Sequence, residues 1–262
     1  MHDVIVIGDV HGDGDRLIHV LGRLRLATRD AIWTGGTVAL VVMGDVLDGK
    51  QRDPDFAGYV SAVPDVAIVR YLEALRVSAA HSGGSVTCLK GNHEIMNLMG
   101  EFSYVHPADM DRCGGPQQRR EIFGPRGEVG RLVARWKRIH IDNGVLFCHA
   151  GLHTDYANDI LGPGDIAKGA KAVPNHHLLE HRQYAVDSYS HDQLVKLRAM
   201  LRRCGCRLMM IGHNTVQRPQ AVWSGTVVQT DAGLSRAYGD SGKVFVLCVR
   251  PDSSWETIEI AL

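Results

Sequence analysis

The chain has 262 residues, 45% of them apolar and 22% charged, the balance of a globular protein long enough to bury a sizeable core. Its 29 basic and 29 acidic side chains cancel, so net charge gives no argument for a nucleic-acid or anionic-membrane partner. No stretch is apolar enough to span a membrane, and no basic region leads into an apolar one at the N-terminus, so the sequence predicts a cytoplasmic protein without a secretory signal.

Residues 4–7 form a short β-branched run and read as a strand. A helix is predicted over 15–26, with Leu17, Val20, Leu21 and Leu24 at helical spacing, and a second buried strand over 38–43. Residues 65–80 carry Val66, Val69, Leu72 and Leu75 on one helical face. Residues 85–89 read as a third strand, and a helix starts near Glu94. Another helix is predicted over 128–137, followed by a hairpin of 139–141 and 145–148 that turns at Asn143-Gly144. Residues 191–204 read as a helix, 207–211 as a strand, and the tail is strand-rich over 221–223, 226–230, 243–249 and 257–260. Strands and helices alternate early and strands gather late, which suits an α/β core with packed sheets and outer helices. Residues 100–127 and 152–190 are the least regular and are expected to form functional loops. The cysteines (Cys88, Cys113, Cys148, Cys204, Cys206, Cys248) form no C-x-x-C pair and are expected as reduced, buried thiols.

The polar residues that stand out follow the strands. In chain order the strands end in Gly8-Asp9-Val10-His11-Gly12, Gly44-Asp45-Val46-Leu47-Asp48-Gly49, Gly91-Asn92-His93-Glu94, His149-Ala150-Gly151 and Gly212-His213-Asn214. The carboxyl ends of strands in an open α/β sheet line one crevice, and the glycines let the chain turn there. A lone His or Asp in such a place is more often a core or turn residue. Asp, His, Asp, Asn, His and His in series are the ligand types of a transition-metal site. Two other readings of these loops fail. As an EF-hand loop, Asp9, Asp13 and Asp15 lack the glutamate at position twelve, where Val20 stands; Asp13 and Asp15 read instead as caps of the following helix. As a P-loop, residues 44–50 would put Asp45 and Asp48 among phosphates, with Gln51 where a Ser or Thr must bind magnesium and Asp53-Pro54 where a helix should run.

In the two-metal reading, Asp45 bridges two divalent ions, Asp9 and His11 complete one, and Asn92, His149 and His213 complete the other. The mixed ligands favour Mn, Fe or Zn. A water between the ions, acidified to hydroxide, attacks phosphorus, and His93, kept charged by Asp48, is the candidate general acid for the leaving oxygen. For His93 the alternatives are a third metal ligand or a residue that supports the ligands from behind without touching the ions.

The set GDVHG, GDVLD, GNHE, HAG and GH resembles the calcineurin-like metallophosphoesterases, in their phosphoprotein phosphatase branch, over nearly the whole chain. The stretches 83–107, 179–185 ("LEHRQYA") and 231–239 ("DAGLSRAYG") are most similar to the Shewanella-like protein phosphatases. The resemblance implies a four-layer α/β/β/α sandwich with two packed mixed sheets, formed by residues 1–262 as one catalytic domain. It implies a two-metal centre and hydrolysis of phosphomonoesters. It supports Asp9, His11, Asp45, Asn92, His149 and His213 as ligands, Asp48 and His93 as the proton-donor pair, and Arg182 as a phosphate contact. The family's second motif normally continues Asp-Arg-Gly, and that arginine grips phosphate; here Gly49-Lys50 follows Asp48. Lys50, Arg52 and Arg182, with Asn92, remain as candidate phosphate contacts, and a lysine can act there only as a point charge. The expected substrate is a phosphorylated protein (Ser/Thr or Tyr) or a small phosphoester. Dinucleoside polyphosphate or other phosphodiester hydrolysis is the alternative among enzymes, and a phosphopeptide-binding pseudophosphatase the alternative among binders.

Overall fold

The structure is a computed structural model that describes residues 2–52, 55, 59–156 and 176–262. Asp53-Pro54 and residues 157–175 of the 152–190 stretch therefore lie outside the described residues. The early strands β1 (Val4–Ile7), β2 (Ala39–Val42) and β3 (Ser85–Cys88) run parallel. The late strands β9 (Lys243–Val249) and β10 (Trp255–Ala261) extend them antiparallel, giving a five-stranded sheet in the order β10-β9-β1-β2-β3. The second sheet has the order β4-β5-β6-β8-β7, from β4 (Ile139–Asp142), β5 (Val145–Cys148), β6 (Leu208–Ile211), β7 (Gln220–Val222) and β8 (Val227–Gln229). Within it, β5, β6 and β8 are parallel, and β4 and β7 are antiparallel edges.

Side-chain alternation explains why these two sheets stack. In β1, Val4 and Val6 pack with Val41 of β2 against Val145, Phe147, Met210 and Val228 of the second sheet. Ile5 and Ile7 point the other way, into a cluster with Leu17 and Val20 of α1 (Gly14–Arg23) and Val69 and Leu72 of α2 (Asp65–His81). On the far side, Leu146 and Met209 pack beneath Leu197 and Met200 of α7 (His191–Arg203). Both faces of the central strands are thus covered, which is why they read as continuous apolar runs rather than alternating ones. The result is an α/β/β/α sandwich with two mixed sheets, and each fully buried Val, Leu or Ile contributes about 1.5–3 kcal/mol of transfer energy to it.

The predicted elements appear within a few residues of their expected ends. At the hairpin, Asn143 and Gly144 both have positive φ (45° and 68°), as a type I′ turn requires. Asp13 caps α1 by accepting from the Arg16 amide. All six cysteines are free and buried. One expectation is corrected: the 100–127 stretch is not irregular. It contains α4 (Pro107–Arg112) and α5 (Pro116–Phe123), which precede α6 (Glu128–Ala134). Both short helices open on proline, whose fixed φ suits the first helical position, and they are too short to show an apolar period. Among the described residues, no helix is long and apolar enough to cross a membrane.

Candidate metal centre

Each candidate ligand sits just past the carboxyl end of a strand. Asp9 follows β1, Asp45 follows β2, Asn92 opens α3 (Asn92–Met99) after β3, His149 directly follows β5, and His213 follows β6. The chain must turn hard at these places. His11, Asp45, Asp48 and His213 all adopt positive φ, at 40°, 44°, 70° and 61°. Such a conformation costs a non-glycine residue about 1–3 kcal/mol and persists only where the surroundings enforce it. Much of the enforcement comes from Glu94, a fully buried carboxylate that accepts from the amides of Asp45, Val46, Leu47 and Gly91 at 2.8, 2.9, 3.3 and 2.7 Å. The backbone also passes very close to the carboxylates. A Cβ on Gly91 would lie 2.0 Å from Asp45 Oδ1, and one on Gly212 would lie 2.2 Å from Asp9 Oδ1.

The structure brings the expected residues together around Asp45 Oδ2. His149 Nε2 is 3.2 Å from that oxygen, and the Nε2 atoms of His11 and His93 are each 3.9 Å from it. Asp9 Oδ2 is 3.9 Å from His11 Nε2, and Asn92 Oδ1 is 3.3 Å from His149 Nε2. Among the described residues, two groups have ligand atoms lying within 4.8 Å of one another: His11, Asp45 and His93, and Asp45, His149 and His213. Asp45 belongs to both, the place of a bridging carboxylate.

The donor set fits divalent cations. His149 Nδ1 donates to the Met43 carbonyl at 2.9 Å, so Nε2 is the nitrogen turned to Asp45 and the one that would ligate an ion on giving up its proton. His213 Nε2 donates to the Glu180 carbonyl at 3.2 Å, which leaves the lone pair on Nδ1. Asp9 Oδ1 is buried without a hydrogen-bond partner. Burial and the neighbouring Asp231 push the Asp9 carboxyl well above its usual range, and burial also raises Asp231, to about 6. Burial works against the His149 imidazolium, yet Asp45 and Asp9 raise it to about 10. Burial and His149 press His213 down to about 3. Burial would raise Asp45 too, but His149 and His93 hold it well below its usual range; with Asp9 and Asp231 pushed up and a histidine held charged, the cluster is short of positive charge, which a cation supplies.

Asp48 and His93 form a buried pair, with Nδ1 2.8 Å from Asp48 Oδ2. Because the carboxylate accepts, Nδ1 carries the proton and the Nε2 face is turned toward Asp45. Burial disfavours the imidazolium, but Asp45 and Asp48 outweigh it and raise the His93 pKa. Asp48 is held in turn by the Asn97 amide at 2.8 Å. The fully buried Arg119 fixes that amide: it donates twice to Asn97 Oδ1, at 2.9 and 2.7 Å, and bidentately to Asp65, at 3.1 and 2.7 Å. Arg119 has only donors, so Asn97 must show it oxygen and turn its NH2 to Asp48. Nothing in the sequence pointed to Arg119, which lies in the stretch without apolar period. Glu94 and Asp231 stood inside quoted motifs without an assigned role.

Of the candidate phosphate contacts, Arg182 donates to the His213 carbonyl and to Asn214 Oδ1, at 2.8 and 3.1 Å, on the rim of the centre. Lys50 Nζ donates to the Ser103 carbonyl at 3.0 Å.

Buried carboxylates and histidines at strand ends, gathered around one shared aspartate in a fold of two stacked sheets, are the donor set of a metal-dependent hydrolase. Residues 2–217 match the calcineurin-like phosphoesterase family, and the chain belongs to it. It is 29% identical over 153 residues to Shewanella-like protein phosphatase 1 of Plasmodium berghei, covering 57% of this chain and 39% of that protein. It is 24% identical to Shewanella-like protein phosphatase 2 of Arabidopsis thaliana, covering 95% of this chain and 75% of that one. Three of its curated relatives are matched over less than half their own length. The fold superposes on the cold-active protein-tyrosine phosphatase of a Shewanella species with a TM-score of 0.75 at 20% identity, over 98% of this chain and 80% of that one.

Proposed function

We propose that residues 1–262 act as one catalytic domain, a divalent-metal-dependent phosphomonoesterase whose substrates are phosphoproteins. The observation that carries this reading is Asp45 Oδ2, shared by two histidine clusters and flanked by the buried Asp48–His93 pair. Asp9, His11 and Asp45 would hold one ion, and Asp45, Asn92, His149 and His213 the other. The nitrogen and oxygen donors suit Mn, Fe or Zn. Bound there, two such ions supply charge neutralisation of the phosphoryl oxygens and an acidified water as nucleophile. His93 gives its Nε2 proton to the leaving oxygen while Asp48 holds Nδ1 and keeps the ring charged. Arg182, exposed on the rim beside His213, steadies the phosphate from outside.

A phosphoprotein substrate is supported by the names of the Plasmodium and Arabidopsis relatives and of the Shewanella neighbour. A pure phosphopeptide binder has no use for a buried, charged proton donor, so the Asp48–His93 pair favours turnover. The test is a panel of phosphoserine, phosphothreonine and phosphotyrosine peptides beside a dinucleoside polyphosphate, run with Mn, Zn and Mg in parallel. Release of phosphate from peptides, with the dinucleotide cleaved at least tenfold more slowly, is the expected outcome. Preference for the dinucleotide would move the assignment to polyphosphate hydrolysis.

A further inference from the structure

The family's phosphate-gripping arginine has no counterpart at Gly49, and the local packing explains how the loop accommodates that. A Cβ at Gly49 would lie 3.0 Å from the His11 carbonyl oxygen and 3.4 Å from Gly12 Cα. The loop after β2 thus presses on the loop after β1, and a side chain at position 49 has no easy path to the centre. Three residues on, the chain carries another guanidinium. Its surroundings are unusual. The Arg52 Cζ atom lies 5.2 Å from the Tyr104 ring centroid and 5.1 Å from that of Tyr238. Tyr104 meets His93 edge-on at 5.1 Å, and Tyr238 meets His11 at 5.0 Å. His11 and His93 in turn meet each other at 5.0 Å. Arg52, Tyr104, His93, His11 and Tyr238 therefore close a ring of side chains over the Asp45 side of the centre.

Within that ring the two ends of the guanidinium differ. Nη1 donates to the Asp48 carbonyl at 3.0 Å, which ties it to the loop bearing the proton-donor pair. Nη2 is buried and has no hydrogen-bond partner. A charged donor buried without an acceptor is costly and calls for an explanation; at a binding site the acceptor arrives with the ligand. Tyr104 and Tyr238 are 45% and 40% exposed, so the two rings beside the guanidinium stand at the protein surface. Cation–π contact with two rings restrains the guanidinium without consuming its donors.

We propose that Arg52 is the phosphate-binding arginine of this protein, presented to the substrate phosphoryl group by Tyr104 and Tyr238 in place of a residue at position 49. This rests on the phosphatase reading above. Arg52 reaches the phosphate from the His93 side, and Arg182 from the His213 side, so the two guanidiniums bracket the centre. Lys50, bonded to the Ser103 carbonyl, is not needed for the role.

The test compares wild type with Arg52→Ala and Arg52→Lys, all loaded with Mn. Inorganic phosphate binding is measured by calorimetry, and KM, kcat and the phosphate inhibition constant are measured with p-nitrophenyl phosphate. Loss of charged hydrogen bonds predicts phosphate binding roughly 10- to 100-fold weaker in Arg52→Ala. KM should rise in parallel, Arg52→Lys should fall between, and added guanidinium should partly restore the alanine variant. Phosphate affinity within twofold of wild type in Arg52→Ala would overturn the proposal and leave Arg52 as a brace for the Asp48 loop. Should the alanine variant unfold, the calorimetry on Arg52→Lys decides, an unchanged affinity with no change in KM again overturning it. Because calorimetry needs no turnover, an inactive wild type would refute the phosphatase reading while the binding comparison still judged Arg52.

Discussion

Replacing His93 by asparagine separates two roles that its position permits. The His93 ring is buried, with Nδ1 2.8 Å from Asp48 Oδ2 and Nε2 3.9 Å from Asp45 Oδ2. It belongs to a group whose ligand atoms could hold an ion, and it is also the one histidine of the centre paired to a carboxylate outside the proposed ligands. If it is the proton donor, its worth depends on the leaving group. A positioned general acid contributes about 10²–10⁴ in rate, or roughly 3–5 kcal/mol at 1.36 kcal/mol per tenfold. That full loss is expected with phosphotyrosine, whose phenol has a pKa of about 10, and with phosphoserine, whose alkoxide is worse. p-Nitrophenolate leaves well without a proton, so the loss there should be roughly tenfold or less by the Brønsted argument. The assay is kcat/KM for the three substrates in wild type and His93→Asn, with metal content measured on the same samples. Equal losses on all three substrates, accompanied by loss of metal, would refute the acid role and make His93 a ligand.

Two further outcomes follow from the residues behind this pair. Arg119→Met leaves the Asp65 carboxylate buried and unpaired, a change that typically costs about 3–5 kcal/mol, or roughly 6–20 °C in Tm for a chain of this size; adding Asp65→Asn should recover part of it, and a Tm unchanged by the single substitution would contradict the buried pair. Asp48→Asn removes a charge and a hydrogen bond that raise the His93 pKa against the opposing effect of burial. The protonated ring is the active form, so the alkaline limb of the kcat–pH profile should move to lower pH, and a limb that stays in place would mean another group donates the proton.

The strands and the side chains gathered at their ends were legible because each obeys a local rule. Val4–Ile7 and Ala39–Val42 are apolar throughout because helices and a second sheet cover both faces. Asp9, Asp45 and His213 stand beside glycines because the chain must turn sharply at the strand ends. The parts that remained hidden depend on contacts distant in sequence. Arg119 reaches Asp65 across 54 residues, and α4 and α5 are too short to show a helical period. Glu94 was visible as a letter in a motif, but its task of holding four amides of two loops is a property of the folded backbone alone. Arg52 stood among three candidate cations, and the flanking tyrosines and its buried, unpartnered Nη2 distinguish it.

The central claim is that one shared aspartate organises two divalent ions for phosphomonoester hydrolysis. Metal-stripped protein should be titrated with Mn while bound metal and p-nitrophenyl phosphate turnover are followed together. Activity is predicted to be absent without metal, to reach its plateau at about two ions per chain, to vanish on chelation and to be lost at every metal ratio in Asp45→Asn. Wild-type protein that carries two ions per chain and hydrolyses no phosphomonoester would contradict the account.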